Sequence, residues 1–226
     1  MVLDNQSSDG YIRARLDRER HKRFKLQITK DGNDHTASYD MSNDGEFITI
    51  PLNLGDGYYT FRLYENVYGD RYAVCGYLKI RAELKDKDAP FLVPNVYVDY
   101  GEDLVQLTNS ICEGKIDKEI FNTICTYVKE HYAYDFIKAV TKKPGMLPDI
   151  KGTITKKMGV CQDLSALTVA MLRSQGLPSK LVIGYADKQY HAWTVSKVDG
   201  KEILFDPTVQ LFAMKKPVKY TEERFY

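Results

Sequence analysis

Apolar and polar residues alternate along five segments in the first 88 residues of the chain. The apolar positions of this pattern lie in segments 12–16, 24–28, 48–54, 59–63 and 74–84. A period of two is typical of strands that bury one face and expose the other. Clusters of Gly, Asp and Asn, which favour turns, separate the segments at 31–32, 43–45, 55–57 and 69–70. The pattern predicts an all-β, immunoglobulin-like sandwich over residues 1–88.

The periodicity changes after a charged run that ends at Pro90, and we expect a domain boundary between residues 88 and 89. Beyond it, a stretch rich in Lys, Gly and Pro predicts a loop at 141–153, and apolar spacings of three and four predict helices over 102–113, 117–132 and 161–175. Short apolar runs then predict strands at 180–186, 190–195 and 201–205. Residues 89–226 are therefore expected to form a second domain, of the α+β class.

Three residues of this second domain carry groups that combine in nucleophilic catalysis. Cys161 is placed at the start of the third helix, where free backbone N–H groups and the helix dipole stabilise negative charge on sulfur. His191 and Asp206 lie on consecutive predicted strands, nearly opposite in registry across the Asp199-Gly200 turn. A thiolate nucleophile needs a base, and the base needs an acceptor that fixes its tautomer. Each residue alone is common in cores, turns and caps, but together they predict a Cys–His–Asp triad.

Composition and charge exclude some classes of partner. The 32 Lys and Arg and the 31 Asp and Glu leave a formal net charge of +1, whereas nucleic-acid binders usually carry a clear basic excess. Segment 12–25 holds seven basic and two acidic residues, but its apolar alternation favours solvated strand faces around a polar turn at 17–22 over a nucleic-acid arm. No apolar stretch is long enough to predict an integral membrane segment, and the start of the chain lacks the pattern of a signal peptide.

The four cysteines are scattered along the chain. None belongs to a Cys-x-x-Cys pair or has a His at metal-finger spacing, so we expect no metal site and no cofactor. For Cys112 and Cys125 we favour buried free thiols in helices over a disulfide between them. The pattern separates one candidate nucleophile, Cys161, from three bystanders.

The C-terminal motifs are GVCQDLSALTVAMLRSQGLPSKLVIGY, YHAWTV and LFDPT. In combination they resemble the bacterial transglutaminase-like superfamily, over about residues 120–212. The resemblance implies a papain-like α+β core in which the nucleophile helix packs on an antiparallel sheet. It also implies a catalytic triad of Cys161, His191 and Asp206, which attacks an amide of a peptide or protein substrate and passes through a Cys161 thioester.

Further residues are candidates for stabilising the oxyanion or binding the substrate. The Cys161 backbone N–H is expected to be one oxyanion donor, because it lies at a helix N-terminus. Tyr134, in the YAYD segment, and Gln162 are candidates for the second donor, and the alternative for both is an ordinary surface or packing contact. Trp193 faces the same side of its strand as His191, where it either walls the site or fills the core.

Three functions remain open for this chain. The triad favours a cysteine peptidase or amidase, in which water resolves the thioester. The first alternative is transglutaminase-type crosslinking, in which an amine resolves it. The second is a non-catalytic surface binding module, motivated by the 10 tyrosines, of 17, that fall within the first 100 residues, since Tyr suits binding surfaces as well as strands.

The domain composition gives an expectation for localisation. A β-sandwich joined to such a core favours an extracytoplasmic or cell-surface bacterial protein, with a cytoplasmic one as the alternative. The sequence leaves the oligomeric state open.

Overall fold

The computed structural model describes residues 1–17, 22–42, 44–143, 145–211 and 218–226. The chain divides into two compact units, Met1–Asn95 and Val96–Tyr226. The boundary expected between residues 88 and 89 lies seven residues before this division. Parts of the turns predicted at 17–22 and 43–45 and of the loop predicted at 141–153 lie outside the described residues.

The first unit is built from strands, as its alternating pattern predicts. They are β1 (Val2–Gln6), β2 (Tyr11–Arg15), β3 (Phe24–Lys30), β4 (Thr36–Met41), β5 (Ile48–Pro51), β6 (Gly57–Tyr68) and β7 (Arg71–Ala82). They form two antiparallel sheets with the orders β1-β2-β5 and β4-β3-β6-β7. Short 3-10 helices occupy Ser7–Asp9 and Ala89–Phe91. An immunoglobulin-like arrangement of these sheets stays a prediction.

The last strand of this unit departs from its predicted burial. The alternation predicts that Val74 and Leu78 face a core, but Val74 is 57% exposed and Leu78 is 39% exposed. β7 is an edge strand, and its pairing with β6 shifts register between Leu63 and Tyr64. Because an extra residue in one strand turns the following side chains to the other face, the shift removes Val74 from the buried side.

The second unit combines helices with an antiparallel sheet. Its elements are α1 (Glu102–Cys112), α2 (Asp117–His131), β8 (Ala133–Tyr134), α3 (Phe136–Thr141), α4 (Ile150–Lys156), β9 (Met158–Gly159), α5 (Cys161–Ser174), β10 (Ser179–Ala186), β11 (Gln189–Val198), β12 (Lys201–Phe205), α6 (Pro207–Leu211) and β13 (Tyr220–Phe225). The sheet has the order β12-β11-β10-β13, and β8 pairs with β9 in parallel. The three predicted helices and the three predicted strands are thus confirmed, with shifts of a few residues at their ends.

α5 is the central helix of this unit. Every residue from Asp163 to Arg173 is buried, which is typical of a helix surrounded by other elements. It packs against α2 on one side and against β10 and β11 on the other. This packing fixes the start of α5, and therefore Cys161, against one end of the sheet.

One local prediction was wrong. The loop expected over 141–153 ends early, because Asp149 accepts a hydrogen bond from the Gly152 backbone N–H, at 2.8 Å, and starts α4. The start of the second helix agrees with its predicted bound: Asp117 is its first residue, and the Glu119 carboxylate accepts from the Ile116 N–H at 3.3 Å.

Candidate active site

The N-terminus of α5 is held by a carboxylate in its own first turn. Cys161 is the first residue of the helix, and Val160 precedes it in an extended conformation. The Val160 backbone N–H donates to Oδ2 of Asp163 at 3.0 Å. The N–H groups of a first helical turn have no partner within the helix, so Cys161 presents its sulfur beside a cluster of backbone donors.

Asp163 is fully buried, and three groups from separate segments meet its carboxylate. Besides Val160, the Asp149 backbone N–H donates to Oδ1 at 3.0 Å, and the Lys138 ammonium lies 2.7 Å from Oδ2. A buried charge is tolerated when it is paired and hydrogen-bonded. The acidic residue two positions after the cysteine therefore ties α3, α4 and α5 together at the point where Cys161 begins the helix.

The glycine of the Gly-x-Cys motif makes this arrangement fit. A Cβ at Gly159 would lie 2.8 Å from Cβ of Asp163 and 2.9 Å from Oγ1 of Thr153. Real Cβ atoms essentially never approach so closely, so only glycine lets β9 pass this near α4 and the first turn of α5. In this motif the cysteine is the candidate nucleophile, and the glycine is required by close packing.

His191 and Asp206 meet at the end of the β11–β12 hairpin. The pairing ends at Thr194–Phe205, and Asp206 follows directly, before α6. Nε2 of His191 lies 2.7 Å from Oδ2 of Asp206, and both side chains are nearly buried. The sequence placed the two residues nearly opposite in registry. Their side chains do meet, with Asp206 one residue beyond the last paired position.

Asp206 has further donors that sequence analysis did not find. Its Oδ1 accepts from the Thr208 and Val209 backbone N–H groups, at 2.9 and 3.1 Å. The Tyr220 hydroxyl donates to Oδ2, the oxygen that also faces His191, at 2.9 Å. Burial and the charge of Asp206 raise the pKa of Tyr220, so its hydroxyl keeps the proton that it donates. Asp206 is therefore fixed from its own chain and from β13.

β13 reaches Asp206 because β10 carries a glycine beside it. Gly184 pairs with His191 on one side, and on the other a Cβ at this position would lie 2.1 Å from the Thr221 carbonyl oxygen. The β10–β13 register shifts between Ile183 and Gly184. The close approach of β13 at this bulge places Tyr220, which packs on Trp193 with ring centroids 4.9 Å apart.

The His191 ring lies between Asp206 and Cys161. Burial alone would lower the pKa of His191, but the hydrogen bond to Asp206 and a side-chain contact with Cys161 outweigh it and raise this pKa to about 9. Because Nε2 is bonded to Asp206, Nδ1 is the nitrogen available to the sulfur. The arrangement holds a proton on the imidazole at neutral pH, next to the nucleophile candidate.

Two hydrogen bonds join α5 to β11 beside this contact. The Ser165 hydroxyl donates to the Ala192 carbonyl at 3.1 Å, and the Thr194 hydroxyl donates to the Ser165 carbonyl at 3.3 Å. All three residues are buried. The bonds lie one turn after Cys161 and immediately after His191, so they fix the distance between the two elements that carry the reacting groups.

Cys161 and His191 open onto a cleft of about 1330 Å³ in the second unit. Tyr134 and Gln162 also line it. The backbone of Tyr134 pairs with Gly159, and burial, followed by the charges of Cys161 and Asp163, raises the pKa of its phenol. Tyr134 therefore presents a protonated hydroxyl near the sulfur, and its role as an oxyanion donor stays a prediction.

The two other candidates have different surroundings. Nε2 of Gln162 donates to the Met146 carbonyl at 3.0 Å, and its Oε1 accepts from the Lys142 ammonium, so both ends of the amide are engaged. Trp193 is 2% exposed and lies outside the residues that line the cleft. It packs between His191 and Tyr220, and so supports the site from behind.

The remaining cysteines lie outside the cleft lining. Cys112 and Cys125 are buried free thiols in α1 and α2, as predicted, and Cys75 is an exposed thiol on β7. Within the described part of the chain, no group of three His, Cys, Asp or Glu side chains is arranged to hold a metal ion. None of the described helices is long and apolar enough to cross a membrane.

Comparison with protein families agrees with the motifs. Residues 105–207 match the family model described as the transglutaminase-like superfamily. The resemblance inferred from the sequence is thereby confirmed, and the matched range contains all three triad candidates. No curated protein matches the chain in sequence.

Several solved structures are similar in part. A candidate cysteine protease from Cytophaga hutchinsonii has 15% identity and a TM-score of 0.48, over 88% of this chain and 78% of the other. The periplasmic domain of TgpA from Pseudomonas aeruginosa, with ethylmercury bound, has 11% identity and a TM-score of 0.46, over 89% and 90%. A TGase has 17% identity and a TM-score of 0.41, over 53% of this chain and 32% of its own. All three TM-scores lie below 0.5, so what this site can do follows from its own residues.

Proposed function

Residues 105–207 belong to the transglutaminase-like superfamily, and from this premise we propose that the protein is a cysteine-dependent amide-bond hydrolase, a peptidase or amidase. The observation that carries the proposal is the His191 imidazole, bonded to Asp206 at 2.7 Å and in contact with Cys161 at a helix N-terminus. A nucleophile, a proton carrier and an orienting carboxylate in this order are the parts that acyl transfer through a thiol requires.

In the first step, the Cys161 thiolate attacks the carbonyl carbon of an amide. The carbonyl oxygen takes up negative charge, which the Cys161 backbone N–H and a second donor stabilise. The C–N bond then breaks, and the His191 imidazolium gives its proton to the leaving amine. The product of this step is a thioester on Cys161 and a neutral His191.

In the second step, His191 accepts a proton from water while the oxygen of that water attacks the thioester carbonyl. The C–S bond breaks, the acid is released, and the thiolate–imidazolium pair is restored. Asp206 keeps Nε2–H directed towards itself throughout, so Nδ1 serves the reacting atoms in both steps. The polar side chains of Lys142 and Gln162 line the cleft beside Cys161, and water is the acceptor that we propose.

The exposed Cys75 provides an internal reference thiol for the test of this proposal. Iodoacetamide is added between pH 5 and 10, and alkylation of each cysteine is followed by peptide mass spectrometry. Cys161 is expected to react faster than Cys75 below pH 8, and His191→Ala is expected to remove at least about tenfold of that advantage. His131→Ala, on the exposed face of α2, is the matched control and should change nothing.

Peptide-library incubation then separates the possible acceptors. A mass increase on Cys161 that disappears with release of free acid supports hydrolysis. Transfer of the captured acyl group to an added labelled primary amine, with no hydrolysis at saturating amine, would replace hydrolysis with crosslinking. A Cys161 that reacts like Cys75 and ignores His191→Ala would leave the protein as a binding module and contradict the proposal.

A further inference from the structure

The cleft lining carries an excess of positive charge, whereas the chain as a whole is nearly neutral. Besides the His191 of the triad, four cationic side chains line it among the described residues, Lys142, Lys143, Lys188 and Arg224, against one side-chain carboxylate, Asp187. Glu223, which is outside the lining, lies 3.9 Å from the Arg224 guanidinium, a separation long enough for Arg224 to accept a second carboxylate. The chain as a whole carries a formal net charge of +1. The positive charge is therefore concentrated where the nucleophile opens to solvent, and a cleft lined by one sign of charge attracts ligands of the other sign.

The cations come from both walls of the cleft. Lys142 and Lys143 follow α3, on the wall that carries Cys161 and Gln162. Lys188 lies in the β10–β11 turn and Arg224 lies on β13, on the wall that carries His191. A ligand that lies across Cys161 thus meets positive charge on both sides.

The one side-chain carboxylate of the lining is held by the backbone. Oδ1 of Asp187 accepts from the Lys219 N–H at 3.0 Å, which fixes its direction.

The half-buried Lys142 donates to the neutral amide of Gln162. Burial lowers the pKa of Lys142, against the opposing charges of Asp163 and Cys161. An incoming carboxylate would supply the countercharge that the Gln162 amide lacks.

The same cleft contains apolar side chains that a small inorganic anion would not use. Phe136, Val140 and Met146 line it and are 64%, 83% and 48% exposed. Exposed apolar groups beside a catalytic candidate are typical of sites that bind organic ligands. The lining as a whole suits a peptide better than phosphate or sulfate.

We propose that the cleft selects acidic peptide substrates, in which Asp, Glu or a free carboxylate lies beside the amide that Cys161 attacks. This inference rests on the proposed hydrolase function and names its substrate class. Lys142 and Arg224, one on each wall, are the principal carboxylate partners.

Matched peptidyl reagents test the inference without knowledge of the natural substrate. Tripeptidyl acyloxymethyl ketones are made in pairs that differ only by Glu or Gln at one position. Each reagent alkylates a reactive thiol by forming an S–C bond and expelling a carboxylate. The rate of Cys161 alkylation by each reagent, measured by mass spectrometry, is divided by the iodoacetamide rate of the same variant.

We expect at least one Glu reagent to react about tenfold faster than its Gln partner at low salt. The advantage should shrink in 0.5 M NaCl, because screening weakens charge–charge attraction. Lys142→Gln and Arg224→Gln should each reduce the Glu-to-Gln ratio at least about threefold. Lys129→Gln, an exposed lysine on α2 outside the cleft lining, is the matched control and should leave the ratio unchanged.

The outcomes separate the two proposals. Equal Glu and Gln rates on a thiol whose iodoacetamide reactivity still depends on His191 would overturn the acidic-substrate inference and leave the hydrolase intact. A ratio that all cleft variants share with Lys129→Gln would overturn it as well. Loss of the His191 dependence itself would instead contradict the proposed function.

Discussion

Asp163 and Asp206 are both buried, and each holds one half of the candidate site, yet the groups that face them differ. Asp163 supports the helix half, and its countercharge is the Lys138 ammonium, 2.7 Å from its Oδ2. Asp206 supports the sheet half, and its countercharge is His191, which can release its proton. Both also accept from two backbone N–H groups. A buried aspartate therefore stabilises the structure in the helix half and supports the reactivity of His191 in the sheet half.

Asp206→Asn should produce the largest effect, a loss of reactivity in the sheet half. The amide removes the charge that keeps the proton on His191 and orients Nε2, so acylation of Cys161 is expected to fall about 10²–10⁴-fold. Single-turnover release of nitrophenol from p-nitrophenyl acetate measures it, with Cys161→Ser as the background. Asp117→Asn, at the start of α2, is the control. A loss no larger than that of the control would remove Asp206 from the mechanism.

Asp163→Asn should instead lower the stability of the helix half. Lys138 is then left beside a neutral amide in a largely buried position, and breaking such a pair is expected to cost about 3 kcal/mol of unfolding free energy. Urea unfolding followed by circular dichroism measures it. Asp206→Asn should cost less, because His191 can become neutral when its partner does. Equal stability losses in the two variants would contradict the comparison.

The helix half was the easier one to predict from sequence. Cys161, its place at a helix start and the acidic residue two positions later are local features, and the spacing of one helical turn fixes them. The partners of Asp163 are not local, because Lys138 lies in α3 and Asp149 caps α4. The start of α4 fell within the loop predicted at 141–153, so the sequence did not indicate this contact. The cause of Gly159, a contact with Asp163 and Thr153, is visible only after the segments have packed.

The sheet half was predictable as far as its hairpin. The β11–β12 turn brings His191 and Asp206 together, and a turn can be recognised from Asp199-Gly200. Tyr220 was missed because β13 is mostly exposed and mixes Thr, Glu and Arg, so it lacks an apolar alternation. In the first unit, β1 was missed for a similar reason, since none of its residues is buried. Periodicity detects strands that bury one face, and edge strands give it little to detect.

The raised pKa of His191 makes the stability of the sheet half depend on pH. The folded value of about 9 lies above the ordinary value of 6.5. A group whose pKa rises on folding stabilises the native state fully below its unfolded pKa, and this contribution is lost as the pH rises through the folded one. The stability that comes from this pair should therefore fall between about pH 6.5 and 9.

Tyr220→Phe should sharpen the comparison with the smallest effect. The Tyr220 hydroxyl partly neutralises the negative charge on Oδ2 of Asp206. Without this hydrogen bond, Oδ2 attracts the His191 imidazolium more strongly, and the pKa of His191 rises further. We expect the alkaline end of the pH–stability curve to move up by about 0.5–1 pH unit, as the loss of one hydrogen bond to a charged group implies. NMR titration of His191 measures the same change directly. Tyr185→Phe, which removes a hydroxyl from the exposed face of β10, controls for the loss of a phenol group. A downward shift, or the same curve in both variants, would mean that Tyr220 only packs against Trp193 and that Asp206 acts on His191 without it.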